Sequence, residues 1–292
     1  MIGVIGGTGL GEALFGNAGG TEHAVETPFG RPSTPIRVVE WHGLKVALLA
    51  RHGDGHIHNP SQVPYRANIY ALKSLGVTHV IASGAVGSLQ AEIRPRDLVI
   101  VDQIIDRTYR RTPTFFDEGL AVHVEFAEPF CPCLRNLLLS VAGKVGTTVH
   151  PKGTYVCMEG PAFSTVAESE VHRAWTADLI GMTAMPEARL AREAEMSYAL
   201  VALVTDFDCW KPHEPGKDRK ELLAEIIENL KAATANAIAF IRAAIEAYAA
   251  SPPRPCPVHT ALDLAVWTDR AKITPELRRR YGILLERYWQ AQ

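Results

Sequence analysis

Backbone groups and side chains suited to binding an anion follow the first apolar segment of this 292-residue sequence. The segment runs into a glycine turn, Gly6-Gly7-Thr8-Gly9, whose N–H groups and single hydroxyl suit an anion. A dinucleotide fingerprint is not met, because Glu12 stands where its third glycine belongs, and no Gly-Lys-Ser/Thr follows as in a P-loop. The turn therefore predicts a site for a small anion such as phosphate.

A second anion-binding candidate is the pair Arg51-His52, which ends another apolar segment. Arginine binds phosphate oxygens bidentately, and the histidine can donate a further hydrogen bond. Metal binding is the alternative, because Asp54, His56 and His58 follow closely. Two glycines make this segment a flexible loop rather than a helix, so His52 and His56 lack helical His-x-x-x-His geometry, and we expect an anion rather than a metal.

Two turns of small residues are further candidates. Residues 83–88 follow an apolar segment, and their N–H groups, at Gly84 and Ala85 among others, would close around the same anion. The alternative is that these small residues allow tight packing of a strand on a helix. The turn after residue 159 carries Phe163, which either fills the core or stacks on a flat ligand.

Two later apolar segments end in polar residues. Thr183 and Glu187 lie at the entry of a helix, and Asp206 and Asp208 close a strand, where residues two apart face the same way. Paired carboxylates repel each other unless one holds a proton, and enzymes obtain an acid near neutral pH in this way. A solvated turn with two acids is the alternative.

The elements that must position these residues alternate between strand and helix, which predicts an α/β fold with helices flanking a sheet. We expect strands at 1–5, 36–40, 45–50, 78–82, 98–101, 154–158, 179–182 and 198–205, and helices at 63–75, 132–144, 165–176, 185–195 and 218–249. A proline-rich linker follows, and then a tail with one apolar stripe, formed by Leu277, Tyr281, Leu284, Leu285 and Tyr288. The stripe must be buried on its own domain or at a subunit interface.

Composition restricts the partners. A net charge of -2 and a pI near 6.6 give no electrostatic footprint for nucleic acid or an anionic membrane. Without a signal peptide or a long apolar run, we expect a cytoplasmic protein. Five cysteines argue against a disulfide scaffold, and Cys131-Pro132-Cys133 is interpreted as two buried thiols rather than a metal or redox site.

Taken together, the motifs resemble those of the methylthioadenosine phosphorylases within the trimeric purine nucleoside phosphorylase family. The matching segments are 5–10, 26–30, 48–53, 85–89, 127–132, 159–161, 181–183 and 205–210. The resemblance implies a mixed central sheet of the nucleoside phosphorylase type in a catalytic domain at 1–250, with 251–292 as linker and helical extension. It also implies a homotrimer that uses inorganic phosphate as co-substrate, without metal or organic cofactor.

The resemblance also implies roles for eleven residues. Phosphate contacts are expected from Thr8, Arg51, His52, Gly84, Ala85 and Thr183, and nucleoside contacts from Phe163, Met182, Asp206, Asp208 and, from a neighbouring subunit, His123. Asp206 and Asp208 are the expected catalytic pair on the base. Gly84 lacks the hydroxyl that animal enzymes carry there, so only backbone contact is expected from it, and the loop at 211–220 does not match the family segment around the 5′-substituent.

The resemblance implies cleavage of 5′-methylthioadenosine by phosphate, and the paired carboxyl groups favour a 6-aminopurine nucleoside. Carboxyl groups match the amino group and N7 of adenine, whereas a 6-oxopurine needs a donating amide. A phosphorylase of adenosine or 6-oxopurine nucleosides is the alternative within the class. A nicotinamide-dependent oxidoreductase and a non-catalytic purine-binding protein are the alternatives outside it.

Overall fold

The computed structural model describes residues 1–15, 19–212, 218–253 and 256–290. The strands are β1 Ile2–Gly6, β2 Thr21–His23, β3 Ile36–Trp41, β4 Leu44–Ala50, β5 His79–Ser88, β6 Leu98–Ile100, β7 Gln103–Arg107, β8 Val149–His150, β9 Thr154–Met158, β10 Leu179–Gly181 and β11 Ser197–Phe207. The helices are α1 Leu10–Phe15, α2 Tyr65–Ser74, α3 Pro132–Ser140, α4 Val166–Ala174, α5 Glu187–Glu193, α6 Arg219–Ala250, α7 Pro275–Tyr281 and α8 Glu286–Gln290.

Within the described residues the strands form one mixed sheet in the order β2-β3-β4-β1-β5-β10-β9-β7, with β11 and β6 branching from β5 and β8 beyond them. Alternate residues of β11 face opposite sides of the sheet. Leu200 and Ala202 pack in a hydrophobic cluster with α2 and α5, whereas Val201 and Leu203 pack in another with α3 and α6. The predicted α/β architecture is therefore confirmed.

Strand β5 has three neighbours, and this creates a gap in the sheet. Strand β11 runs parallel to it from His79 to Ser88, while β1 pairs only with residues 79–82 and β10 only with residues 87–88. On the side of β5 opposite β11, residues 83–86 thus pair with no strand. The predicted turn at 83–88 is wrong, because pairing with β11 keeps these residues extended.

Local signals explain the helix starts. Asp218 and Glu221 form a capping box at α6, Thr165 and Glu168 form another at α4, and α3 begins with a proline in its first turn. The strands β2, β7 and β8 and the helix α1 are not predicted from the sequence, because short elements give little periodicity. No helix of the described residues is long and apolar enough to cross a membrane.

The tail packs on its own domain. Its predicted single helix is divided into α7 and α8 at Gly282, whose φ is 33°. Tyr281, Leu284 and Leu285 are buried in the hydrophobic cluster that also contains one face of β11. The alternative that the apolar stripe is buried on its own domain is confirmed.

Candidate active site

A cavity of about 790 Å³ lies beside the gap at β5. Ten of the eleven residues selected from the sequence line it, namely Thr8, Arg51, His52, Gly84, Ala85, Phe163, Met182, Thr183, Asp206 and Asp208. The structure does not bring His123 to this cavity. Its ring lies 4.8 Å from that of Trp267, centroid to centroid, and its backbone N–H bonds to the Ala265 carbonyl.

The glycine turn after β1 approaches β5 very closely. The Gly7 N–H donates to Ser83 Oγ at 3.3 Å. A Cβ at Gly7 would lie only 2.8 Å from both Arg51 Nη1 and the Ser83 carbonyl oxygen, so the contact requires glycine. This approach brings the following Thr8 to the wall of the cavity.

One backbone donor of β5, the Ala85 N–H, faces the gap. The Ser83 carbonyl accepts a hydrogen bond from Arg51 Nη1 at 2.7 Å and so points into it, whereas the Val86 carbonyl accepts from Thr205 Oγ1 of β11 on the opposite edge. Peptide groups alternate between the two edges of a strand, so the Ala85 N–H faces the gap as Ser83 does. The Thr183 hydroxyl lies 3.4 Å from the Cβ position of Gly84. The Ala85 N–H and the Thr183 hydroxyl thus form a cradle of donors for an anion, whereas the Gly84 N–H faces β11 by the same alternation and does not supply the backbone contact expected from the sequence.

Arg51 is fully buried and already paired. Its Nε and Nη2 each donate to the Glu187 carboxylate at 2.7 Å, and the Tyr198 hydroxyl donates to the same carboxylate at 2.8 Å. Burial disfavours the Arg51 charge, but the adjacent Glu187 raises the pKa of Arg51 above its ordinary value. The sequence predicted that the Arg51 guanidinium binds phosphate bidentately. Instead, Glu187 and Ser83 take three of the five N–H groups, and Nη1 and Nη2 retain one each.

His52 is buried, and its tautomer is set by its neighbour. Its Nδ1 lies 2.8 Å from the His58 carbonyl oxygen, which can only accept, so Nδ1 carries the proton. Burial and the adjacent Arg51 lower the pKa of His52 to about 4. The neutral ring therefore presents Nε2 as an acceptor, suited to a P–OH group, and not as the donor that the sequence predicted.

The loop after His52 does not form the alternative metal site. His52 stacks on His56 at 4.2 Å between ring centroids, but the ligand atoms of the acidic and histidine side chains in this described loop do not converge on one point.

The two carboxylates lie at a bulge where β11 ends. Val204 pairs with Val86 but Asp206 pairs with Gly87, so Thr205 is an extra residue that redirects the side chains after it. Thr205 Oγ1 donates to Asp206 Oδ1 at 2.6 Å. Asp208 is 8% exposed, and its Oδ2 makes no hydrogen bond within the protein. A buried carboxylate oxygen without a partner is suited to a ligand.

Phe163 and Met182 provide apolar surface to the cavity. Phe163 is 84% exposed, so the alternative that it fills the core is wrong. Met182 packs against Gly160, where a Cβ would lie 2.5 Å from its sulfur.

Arg111, which the sequence analysis did not select, fixes the backbone on this side of the cavity. It donates to the carbonyls of Met182 at 2.6 Å, Met185 at 2.5 Å and Glu159 at 2.7 Å. It lies outside the strands and helices and carries no motif, so no local signal identifies it.

Comparisons with known proteins agree with this fold and site. Residues 1–246 match the model of the phosphorylase superfamily, and the chain belongs to that family. The nucleoside phosphorylase type of fold expected from the sequence is thereby confirmed.

Particular relatives carry more specific names. The chain is 47% identical to S-methyl-5′-thioadenosine phosphorylase of Synechocystis, over 99% of this chain and 87% of that protein. It is similar to a crystal structure of methylthioadenosine phosphorylase sourced from an antarctic soil metagenomic library, with a TM-score of 0.89, 45% identity, and coverage of 97% and 98% of the two chains. A mutant adenosine/methylthioadenosine phosphorylase from Schistosoma mansoni in complex with methylthioadenosine gives a TM-score of 0.76 at 36% identity, with coverage of 84% and 90%.

Proposed function

We propose that the protein cleaves 5′-methylthioadenosine with inorganic phosphate, giving adenine and 5-methylthioribose 1-phosphate. The main support is the spacing of two kinds of group along β5. The Ala85 N–H belongs to the anion cradle, and Asp206 pairs with Gly87 two residues further on. At about 3.3 Å per residue, the backbone of Asp206 on β11 lies roughly 7 Å further along the strand direction than Ala85. A ribose fits between a phosphate and a purine bound at these two positions.

The reaction needs this arrangement of charges. Breaking an N-glycosidic bond builds positive charge on the sugar and negative charge on the departing base. Phosphate is an anionic nucleophile and needs no general base, so the cradle has only to hold and orient it. Asp206 donates a proton or a strengthened hydrogen bond to N7 of the leaving purine, and Asp208 accepts from the 6-amino group. No organic cofactor or metal ion takes part in this scheme.

The finer assignments follow the family resemblance. Phe163 stacks on the purine, Met182 lies under the ribose, and Thr8, Arg51, His52, Gly84, Ala85 and Thr183 surround phosphate. His123 reaches the 5′ end of the nucleoside in a neighbouring subunit of a homotrimer, which fits its position outside the cavity of its own chain. The loop at 211–220 falls partly outside the described residues, and the cytoplasmic location stays a prediction from composition.

A substrate panel tests the reaction and its alternatives. Release of free base and of sugar phosphate is measured for methylthioadenosine, adenosine and inosine, with and without phosphate. We expect phosphate-dependent release, with the highest kcat/KM for methylthioadenosine. Phosphate-independent release would indicate a hydrolase, a preference for adenosine or inosine would favour the broader phosphorylase, and no turnover at all would contradict an enzymatic function.

Asp206→Asn tests the choice of purine. The amide cannot protonate N7 but can donate to a 6-oxo group, so activity on methylthioadenosine should fall by about 100-fold or more while relative activity on inosine rises. Asp208→Asn is the matched control, and it should raise KM for methylthioadenosine more than it lowers kcat. An unchanged ratio of kcat/KM for the two nucleosides in Asp206→Asn would show that this residue does not read the base.

Thr8→Val tests the anion cradle with little change of shape. Losing one hydrogen bond to a charged group costs about 1.5–3 kcal/mol, so KM for phosphate should rise by roughly 10- to 100-fold. KM for the nucleoside should change little. Arg51→Ala is a poorer test, because it would leave the buried Glu187 carboxylate unpaired and unfold part of the population. Equal changes in both KM values would count against the cradle.

A further inference from the structure

Three cysteines from distant parts of the chain meet at the start of α3. Cys131 precedes the helix, Cys133 lies in its first turn, and Cys256 comes from the tail. Their three Sγ atoms all lie within 4.8 Å of one another, and those of Cys131 and Cys256 are 3.0 Å apart. The sequence favours two buried thiols at Cys131 and Cys133, because no Cys or His pair at zinc spacing accompanies them; Cys256, 125 positions from Cys131, is brought to them only by the fold.

The spacing of the sulfur atoms suits a metal ion. A zinc ion with bonds of about 2.3 Å to sulfur holds two thiolates roughly 3.8 Å apart in tetrahedral geometry. Cys131 and Cys256 reach that separation if their Sγ atoms move apart by about 0.8 Å, which side-chain rotation allows. Cys131 and Cys256 are buried, whereas Cys133 is half-buried and gives an ion a route from solvent.

Surrounding groups are arranged as they are around many metal ligands. Cys131 Sγ lies 3.3 Å from Ser197 Oγ, which in turn lies 2.9 Å from His259 Nε2. Hydrogen bonds of this kind orient ligands and hold their charge. The N-terminus of α3 also favours negative charge on the thiolates that accompany it.

We propose that Cys131, Cys133 and Cys256 form a structural site for a thiophilic divalent cation, zinc in the cell, that fastens the tail to α3. Binding replaces three S–H protons by three metal–sulfur bonds, and the protons leave to solvent. Water fills the fourth position on the half-buried side of Cys133. None of the three cysteines lines the catalytic cavity, so the ion has no part in the proposed phosphorolysis.

Cadmium titration of the reduced, metal-free full chain tests the site. We expect one equivalent to produce the ultraviolet thiolate-to-metal charge-transfer band, with release of roughly three protons per ion in weak buffer. Cys256→Ser and Cys133→Ser should bind cadmium at least about tenfold more weakly. Cys209→Ser, which removes a half-buried thiol outside the cluster, should bind as the unmodified chain does.

Zinc should also raise the melting temperature of the unmodified chain and of Cys209→Ser, but not that of Cys256→Ser. Circular dichroism of each variant provides the check on folding. If Cys256→Ser does not fold, Cys133→Ser, at the half-buried position, takes its place. Equal cadmium binding by the unmodified chain and Cys133→Ser would overturn the proposal. So would the absence of a charge-transfer band, or a Cys131–Cys256 disulfide in protein purified without reductant.

Discussion

Glu187→Gln tests how the protein holds its buried arginine. Glu187 and Arg51 are both fully buried and share two hydrogen bonds of 2.7 Å. Removing one partner of such a pair costs about 3–5 kcal/mol, because the other charge stays buried without compensation. With an unfolding entropy of about 2.1 cal/mol/K per residue over this length, the melting temperature should fall by roughly 5–8 °C.

Phosphate should restore more stability to this variant than it gives to the unmodified protein. Without Glu187, a bound phosphate is the only anion beside the guanidinium, so its binding relieves the unpaired charge as well as filling the cavity. Thermal unfolding is measured with and without saturating phosphate, and the increase in melting temperature is compared between the two proteins.

Tyr198→Phe is the matched control, because it removes one donor to Glu187 and leaves the ion pair intact. It should cost about 1 kcal/mol and gain no additional protection from phosphate. The reasoning would be refuted if Glu187→Gln were as stable as the unmodified protein. If phosphate raised the melting temperature of Glu187→Gln and of the unmodified protein equally, Arg51 would not reach the anion.

Three other outcomes follow from the structure. Burial raises the pKa of Glu193 from 4.5 to about 7, so on raising the pH the unfolded chain loses this proton before the folded chain does. The unmodified protein should therefore lose up to about 3 kcal/mol of stability relative to Glu193→Gln as the pH rises from about 4.5 to 7. Denaturant midpoints measured across that range would contradict this if the difference stayed constant. Because the pKa of His52 is lowered to about 4, its ring resonances should titrate near pH 4 without phosphate and at higher pH with phosphate; a midpoint near 6.5 without phosphate would contradict the burial argument. Chelation should lower the melting temperature without reducing initial rates of phosphorolysis, and a rate restored only by a divalent ion would place a metal in the reaction.

Local sequence signals predicted those parts of the fold that depend on neighbouring residues. The hairpin of β3 and β4 follows from apolar segments on either side of Gly43, and α6 from its long alanine-rich pattern and the prolines that follow it. The extension of β5 through Ser88 could not be predicted in this way, because its small residues are held extended by pairing with β11, more than a hundred positions later.

The sequence by itself indicated ten residues that border the cavity, since the strand ends carry short motifs whose residue types already restrict the chemistry. Tertiary structure alone decided how those residues are paired. Arg51 and Glu187 are 136 positions apart, and Cys131 and Cys256 are 125 apart, so no local pattern relates them. The tautomer of His52 likewise depends on a carbonyl that the folded loop brings to its ring. Residue type sets what a side chain can do, and the contacts made on folding decide which of its donors and charges remain for a ligand.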